Sequence, residues 1–423
     1  MKVTLKETPK LYTKDTHRVV PPEETLKRVE KLLPDIGVTR VAEISGLDRL
    51  GIPVYSAIRP GSKQGAISVY AGKGATPVEA RVSVIMESVE RYSSEQQPGD
   101  RRKFVAGTFE EIAARWPAVP PQSLILPGVL LPGARLEWCA GYDLMNGEEV
   151  RLPCNAVYHP FASTVGRLFR SNTNGLASGN TLEEAIFHGL MEVVERDALS
   201  LAEVSRNPGQ AIAVKEGDGL VFEMYEKFGR ANVDVRLWYL PTDTGIPTVL
   251  AAADDRELHD PALLVIGVGT HLDARIAVLR ALTEVAQSRA TQIHGGREDT
   301  DRERAMRSIG YERMKRLNRH WYMEPDDVVA VRGLPDLSTA SHKGDIEESI
   351  AALRAKRIAD RVIVTDLTRK IKVPVVRVTV PGLEMYAIDR ERIGPRCKNA
   401  RPRDPRATAQ RAASAPAPRR AGR

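Results

Sequence analysis

The sequence has little cysteine and no long apolar segment. Three cysteines among 423 residues, Cys139, Cys154 and Cys397, are too few for a disulfide framework and lack the spacing of a zinc site. No apolar run approaches the roughly 18 residues that a membrane helix needs, and the N-terminus lacks the apolar stretch of a signal peptide. We therefore expect a cytoplasmic protein that does not span a membrane.

Familiar nucleotide and hydrolase motifs are also missing. The sequence has no P-loop, no complete dinucleotide-binding glycine motif, no zinc-protease motif and no serine-hydrolase elbow. An ATP-dependent enzyme with this sequence would need an unconventional site. The composition, 42% hydrophobic and 28% charged, is that of an ordinary globular protein and excludes collagen, coiled coil and wholesale disorder.

The excess of positive charge lies at the C-terminus. Residues 398–423 include eight basic residues and one acidic residue, which accounts for the whole formal charge of +7. Because this segment is rich in proline, alanine and arginine and has no apolar periodicity, we expect a disordered basic tail. The rest of the chain is then neutral, which weighs against nucleic-acid binding.

Hydrophobic periodicity and turn residues predict an α+β fold. Long helices are expected over about 77–95, 182–201 and 274–292, a shorter helix over 22–33, and mostly helical structure over 301–360. Strands are expected within 39–44, 52–58, 66–72, 138–158, 235–253, 263–269 and 361–382. This order lacks a doubly wound rhythm, so we expect mixed or antiparallel sheets packed on long helices. The expected parts are an N-terminal extension with a helix (1–35), a catalytic domain (36–397) and the tail (398–423).

An internal duplication is the most informative feature. GATPVEARVSVIMESVER (74–91) returns at an offset of 105 residues as GNTLEEAIFHGLMEVVER (179–196), with matching glycine, threonine, glutamate and arginine positions. A fragment returns again as RALTEVAQ (280–287), in which Glu284 takes the place of Glu87. We expect equivalent helices that face a shared centre.

Each copy gathers polar residues on one face of its helix, because residues three and four apart are neighbours. In the first copy these residues are Ser83, Glu87, Glu90 and Arg91. The opposite, apolar face is expected to hold Val78, Val82, Met86 and Val89. The second copy gathers Glu184, His188, Glu192 and Glu195, and the third gathers Arg280, Glu284 and Gln287.

Glutamates that converge in this way would repel one another unless cations bind between them. Carboxylate oxygens suit Mg²⁺, which normally shares its coordination shell with phosphate oxygens, so a nucleoside triphosphate is the expected ligand. A single Glu-x-x-Glu-Arg motif would more simply be a solvated helix face, and only its repetition favours a metal site. The side chains that could neutralise the phosphates are Lys73, Arg91, Arg196 and Arg280.

Two further glutamates have a structural interpretation. Thr76 with Glu79, and Thr181 with Glu184, fit a capping box in which the glutamate returns to the cap amide. Capping is favoured for Glu79, whereas capping and metal binding both stay open for Glu184. His188 has no nucleophile to pair with, so we expect it to be packed or to support other ligands.

Taken together, these segments resemble the YcaO family of ATP-dependent enzymes that activate peptide backbone amides. The resemblance covers nearly all of residues 36–390 and includes SNTNGLASGNTLEEAIFHGLMEVVERDA (171–198), LRALTEVAQSR (279–289) and VPGLE (380–384). It implies a YcaO-type fold and an ATP site without a P-loop, in which glutamates hold Mg²⁺ ions against the phosphates.

Candidate site residues combine the charge argument with this resemblance. The candidate nucleotide-binding residues are Lys73, Ser83, Arg91, Ser171, Asn174, Arg196 and Arg280. The candidate Mg²⁺ ligands are Glu87, Glu90, Glu184, Glu192, Glu195 and Glu284. No general base or other catalytic residue is assigned.

The resemblance also implies the chemistry. After a nucleophile adds to the amide carbonyl, ATP phosphorylates the oxygen; a neighbouring Cys, Ser or Thr then gives an azoline ring, and external sulfide gives a thioamide. Ring-forming relatives typically end in Pro-x-Pro-x-Pro, whereas this chain offers only Pro416-Ala417-Pro418 and shows no preceding leader-peptide-binding domain. These departures favour the thioamide.

The chain looks most like archaeal YcaO proteins that install a thioamide on a glycine of methyl-coenzyme M reductase. We therefore expect the α subunit of that reductase as peptide substrate, sulfide or another sulfur donor, and a TfuA-like partner protein. A relay of sulfur through Cys154 or Cys397 is a further option, although a packed cysteine is the simpler interpretation. A homodimer is left open. The alternatives are an azoline-forming cyclodehydratase and a non-catalytic ATP-binding partner of a sulfur-inserting enzyme.

Overall fold

A computed structural model describes residues 2–296 and 301–402. Its helices are α1 (Pro22–Val29), α2 (Pro77–Ser94), α3 (Phe109–Ala113), α4 (Leu182–Ser205), α5 (Leu220–Arg230), α6 (Ala274–His294), α7 (Asp301–Ile309), α8 (Tyr311–Leu317), α9 (Arg319–Tyr322), α10 (His342–Ala355) and α11 (Pro395–Ala400). Its strands are β1 (Arg40–Glu43), β2 (Val54–Ile58), β3 (Val69–Lys73), β4 (Val105–Gly107), β5 (Leu136–Asp143), β6 (Glu148–Pro153), β7 (Leu176–Ser178), β8 (Gln210–Ala213), β9 (Val233–Tyr239), β10 (Thr248–Asp255), β11 (Ile266–Thr270), β12 (Val328–Ala330), β13 (Ile363–Asp366) and β14 (Val375–Thr379).

The strands of the described residues form three sheets. One is an antiparallel sheet in the order β1-β2-β3, and the second has the order β11-β10-β9-β8-β12, with a parallel pair only between β12 and β8. The third has the order β4-β5-β13-β14-β7, with β6 paired to β5. The β5–β6 hairpin turns at Asn146-Gly147, and Gly147 takes the positive φ that such a turn needs. The α+β fold class with mixed and antiparallel sheets is confirmed.

Each long helix packs against a strand that precedes it in the chain. Helix α2 lies on β3, α4 lies on β7 and β14, and α6 lies on β11 and β10. The repeated glycine allows the first two contacts: a Cβ on Gly74 would lie 2.6 Å from the amide nitrogen of Ala80, and a Cβ on Gly179 would lie 2.5 Å from that of Ala185. The duplication in the sequence is therefore a duplicated strand–helix unit.

The apolar side of α2 differs from the one expected. Val84, Ile85 and Val89 are buried in the core, whereas Val82 lines a cavity on the other side of the helix. Met86 lines that cavity and also packs against the core. The expected apolar face was therefore wrong for Val82. The error arises because a polar cavity also accepts apolar side chains beside its charges, so periodicity alone does not separate cavity from core.

Other segments refine the sequence-based picture. Four helices occur within 301–360, together with the short strand β12. Periodicity missed β4, β7 and β8, each of which has three or four residues, too few to show a period of two. Helix α11 includes Lys398 to Ala400, which the sequence analysis counted in the tail, and residues 403–423 of that predicted tail lie outside the described residues. Among the described helices, none has the length and apolarity to cross a bilayer.

We predict that the close approach at the repeated glycine makes Gly179→Ala destabilising. The added methyl would overlap backbone atoms of α4, so the free energy of unfolding should fall by about 1–3 kcal/mol. Gly46→Ala is the matched control, because a Cβ there meets nothing within 4 Å. Urea unfolding measures both, and equal stabilities of the two variants would contradict the packing argument.

Candidate active site

A polar cavity of about 310 Å³ lies where α2, α4 and α6 meet. Its walls include eight carboxylates and five guanidinium or ammonium groups. The acidic residues are Asp15, Glu79, Glu87, Glu90, Glu184, Glu192, Glu195 and Glu284, and the basic residues are Arg18, Lys73, Arg91, Arg196 and Arg280. The three copies of the repeat thus share one centre, as their polar faces predicted.

Helix α2 contributes a carboxylate–arginine pair and a second carboxylate. Arg91 Nη2 donates to Glu87 Oε1 at 2.8 Å, one turn apart on the helix. Glu90 accepts hydrogen bonds at Oε1 from the amide nitrogen and the hydroxyl of Ser178, at 2.9 and 2.8 Å. Ser83 lies on the same wall. The end of β7 therefore holds Glu90 in place.

Helices α4 and α6 supply charges that are only partly matched. Arg196 Nη2 lies 3.4 Å from Glu195 Oε1, and Lys73 from β3 forms an ion pair with Glu284. Within the described residues, Glu195 Oε2 and Arg280 Nε are buried and have no hydrogen-bond partner. The site thus holds an acceptor and a donor that await a ligand.

Burial makes several of these carboxylates hard to ionise. It raises the pKa of Glu90 and of Glu195 to about 7, and raises the pKa of Glu192, because nearby arginines offset only part of the desolvation. Burial acts in the same direction on Glu284, but Lys73 and Arg196 outweigh it and lower the pKa of that carboxyl. Added cations would favour the ionised form of all of them.

The donor set fits Mg²⁺ together with phosphate oxygens. No three His, Cys, Asp or Glu side chains within the described ranges stand close enough to hold a metal by themselves. Mg²⁺ is commonly bound by one or two carboxylates, with water and substrate phosphates completing its shell. Buried glutamates around a cavity that also carries unpaired arginine nitrogen suit that arrangement.

Comparison with known proteins identifies the family. A family model described as "YcaO cyclodehydratase, ATP- and Mg²⁺-binding" matches residues 71–384. The chain belongs to the YcaO family. A protein of Methanothermobacter thermautotrophicus is 54% identical over 386 residues, which cover 90% of this chain and 99% of the relative.

Two further relatives extend over most of this YcaO chain. A protein from the tfuA 3′ region of Rhizobium leguminosarum bv. trifolii is 33% identical over 87% of this chain and 89% of its own length. The structure of YcaO from Methanopyrus kandleri bound with AMPPCP and Mg²⁺ is 32% identical, with a TM-score of 0.77, and the match covers 94% of this chain and 99% of that one. The YcaO-type fold is thereby confirmed.

Two of the candidate nucleotide-binding residues do not line the cavity. Ser171 Oγ lies 3.1 Å from His159 Nδ1 and accepts the amide of Phe161 at 3.3 Å, so it braces a loop. Asn174 lines a second, smaller cavity, although its neighbour Thr173 lines the main one. All the other candidate site residues line the main cavity.

An N-terminal strap, residues 2–20, completes one wall and was missed by the sequence analysis. Tyr12 donates to Glu79 Oε1 at 2.5 Å, and Arg18 donates to the ring of His188. Asp15 and Thr16 also line the cavity. These residues belong to no repeat and show no periodicity, so the sequence offers no local signal for their position.

The strap also settles the capping question. The Thr76–Glu79 capping box is present, as predicted. Thr181 caps α4 through its hydroxyl, but the Glu184 carboxylate instead accepts the amide of Val19 at 3.0 Å. Glu184 therefore anchors the strap and does not complete a capping box.

The structure weighs against sulfur relay by cysteine. Cys154 and Cys397 are both 0% exposed, and neither lines the main cavity. Burial raises the pKa of both thiols, so little reactive thiolate forms at neutral pH. The simpler interpretation of packed cysteines is favoured.

The raised pKa of Glu90 predicts that the stability of the ligand-free protein depends on pH. The folded state binds more protons than the unfolded state between the ordinary pKa of 4.5 and the raised value of about 7, so its stability falls as pH rises through that window. Glu90→Gln removes this titration, and its stability relative to the unmodified protein should therefore increase with pH.

Urea unfolding at about pH 5 and pH 8 measures this effect, on either side of the window. Glu312→Gln, on the exposed side of α8, is the control and should show no such trend. A stability difference for Glu90→Gln that does not change with pH would contradict the burial of an only partly compensated carboxylate.

Proposed function

We propose that this YcaO protein uses ATP and Mg²⁺ to convert a peptide backbone amide into a thioamide with external sulfide. The observation that best supports an ATP-dependent reaction is the cavity shared by three helices. Its buried carboxylates and unpaired arginine nitrogen fit Mg²⁺ and phosphates. The solved Methanopyrus kandleri YcaO, bound with AMPPCP and Mg²⁺, supports the same ligands here.

The proposed substrate is a glycine in the α subunit of methyl-coenzyme M reductase. The 54% identical relative belongs to Methanothermobacter thermautotrophicus, a methanogen, and it matches over nearly its full length. A TfuA-like protein is the proposed partner, because a relative of 33% identity lies in a tfuA 3′ region.

The site residues divide into two proposed roles. Carboxylates on α2, α4 and α6 would hold Mg²⁺, which when bound neutralises phosphate charge and orients the γ-phosphate. Arginine and lysine side chains between them would bind the phosphate oxygens directly. The proposed ligands are Glu87, Glu90, Glu192, Glu195 and Glu284 for Mg²⁺, and Lys73, Ser83, Arg91, Arg196 and Arg280 for the nucleotide. Glu184, the sixth candidate for Mg²⁺, is left out of this set because its carboxylate already accepts from the Val19 amide and the Asn180 side chain.

The proposed reaction needs no nucleophile from the protein. Hydrosulfide adds to the amide carbon, and the resulting oxyanion takes the γ-phosphoryl group as ADP leaves. The C–O bond then breaks with loss of phosphate, the C=S bond forms, and the S–H proton leaves with the phosphate. Hydrosulfide is already an anion near neutral pH, so the protein mainly positions the reactants and neutralises charge.

Intact-mass spectrometry tests this reaction directly. A glycine-containing reductase peptide, incubated with the protein, ATP, Mg²⁺ and sulfide, should gain about 16 Da, the mass of sulfur minus oxygen, since one atom replaces the other. The TfuA-like protein is added in a parallel reaction. A loss of about 18 Da from a Cys- or Ser-containing peptide would instead indicate ring formation, and no change in either reaction would contradict the proposal.

Nucleotide binding is tested separately by Glu87→Gln, Glu192→Gln and Glu284→Gln. Each change keeps the shape of the side chain but removes its negative charge. Mg-ATP affinity should therefore fall by about tenfold or more, since even the loss of a residue that only supports a metal ligand often lowers metal affinity that much. Calorimetry with Mg-AMPPCP measures it, and Glu312→Gln is the control. Unchanged affinity in all three variants would refute the site assignment.

A further inference from the structure

A second cavity of about 50 Å³ lies beside the first. Successive residues of the segment between them line different cavities: Thr173 lines the main cavity, whereas Asn172 and Asn174 line the second. Helix α4 does the same, with Glu192 facing the main cavity and Val193 the second. The two cavities therefore share their walls.

Two buried arginines line the second cavity, and no acidic residue among those described lines it with them. Arg377 on β14 is 4% exposed and Arg392 is 3% exposed, and neither forms a salt bridge with any residue in the described ranges. Arg377 Nη2 donates to Asn172 Oδ1 at 3.2 Å, and the guanidinium of Arg392 stacks on Phe169, with its carbon 3.8 Å from the ring centroid. The Nη1 atoms of both arginines are buried and, within the described chain, lack a hydrogen-bond partner.

Two positive charges in this setting carry a free-energy cost. Burial lowers the pKa of Arg377 to about 9 and that of Arg392 to about 10. Glu192 offsets part of the shift at Arg377, and repulsion from Arg91 and Arg392 adds to it. Both groups are still charged at neutral pH. Since a buried charge is normally paired, an anion in the cavity would remove this cost.

Asn174 adds an acceptor to these two donors. Its Nδ2 donates to the sulfur of Met385 at 2.9 Å, and its Oδ1 is buried without a partner in the part of the chain that the structure describes. The cavity-lining residues thus hold two free arginine Nη1 groups, each with two N–H donors, and one free amide oxygen. A matching ligand is an anion that also carries one donor hydrogen.

We propose that the second cavity binds hydrosulfide, the sulfur substrate of the reaction proposed above, on which this inference rests. The sulfur atom accepts from the Nη1 groups of Arg377 and Arg392, and its S–H donates to the oxygen of Asn174. The inference also gives Asn174 a role toward the sulfur substrate in place of the nucleotide.

The remaining walls favour hydrosulfide over harder anions. Phe169, Leu383 and Met385 make much of the surface apolar, which suits a small, polarisable anion. A phosphate has five heavy atoms, for which a cavity of about 50 Å³ has little room. A halide can also accept from the two arginines, but it has no hydrogen for the Asn174 oxygen and should therefore bind more weakly than hydrosulfide.

A substitution at Asn174 tests the assignment kinetically. Asn174→Asp keeps the size of the side chain but adds a negative charge beside the arginines, so the KM for hydrosulfide should rise about tenfold or more, as expected when a charge-assisted site is lost. The KM for ATP should stay within about twofold. Asn207→Asp is the control for the added charge, since Asn207 is exposed and its oxygen accepts the Gly209 amide, which aspartate can also do.

A second measurement needs no variant. Crystals of the unmodified protein soaked in sodium bromide should show an anomalous peak between Arg377 and Arg392, because bromide is a monovalent anion that two N–H donors can hold. This peak would support the anion site even if no thioamide formed, which would be a failure of the proposed reaction and not of the site.

Three outcomes would overturn the inference. One is the absence of bromide between the two arginines. The second is an unchanged KM for hydrosulfide in Asn174→Asp, with thermal unfolding used to verify that the variant folds. The third is an equal rise in the KM for ATP, which would assign the cavity to the nucleotide.

Discussion

The balance of charge at the centre of the three long helices is the constraint on which the rest of the structure depends. Eight carboxylates and five positive groups face one cavity, and several are cut off from solvent. Pairs such as Glu87 with Arg91 and Lys73 with Glu284 offset part of the cost. The raised pKa of Glu90, Glu192 and Glu195 shows that the balance is incomplete without added cations. A ligand that brings both metal ions and phosphates would supply both missing signs of charge.

Bringing the helices this close requires small residues on their other side. The repeated glycines permit strand and helix backbones to approach within distances that no Cβ allows. Gly267 and Gly269 of β11 do the same for α6, where a Cβ would lie 2.3 and 2.2 Å from carbonyl oxygens of the helix. The same packing logic therefore operates in all three units, even though the third repeat is recognisable in the sequence only by a fragment.

The sequence predicted the elements whose signal is local and repeated. Glu87, Glu192 and Glu284 could be placed on one cavity because helical periodicity puts each of them on the polar face of its helix. The position of the strap could not be predicted from the sequence. Tyr12 contacts Glu79, and Arg18 contacts His188, and both pairs are far apart in the chain. The cavity that Asn174 lines could not be predicted for a related reason. In an irregular segment the direction of a side chain does not follow from spacing, and adjacent residues line different cavities.

The alternation of neighbouring residues between two cavities also bears on how one protein could handle two anionic substrates. A triphosphate and hydrosulfide in one compartment would repel each other, and that repulsion is strongest where water is excluded. Here the carboxylate of Glu192 faces one compartment while Arg377, whose charge it stabilises, lines the other. A guanidinium in that position screens the two anions from each other, and cations bound near Glu192 would favour the same separation. The shared wall, formed by α4 and residues 172–174, would therefore keep the two proposed anionic substrates in adjacent compartments.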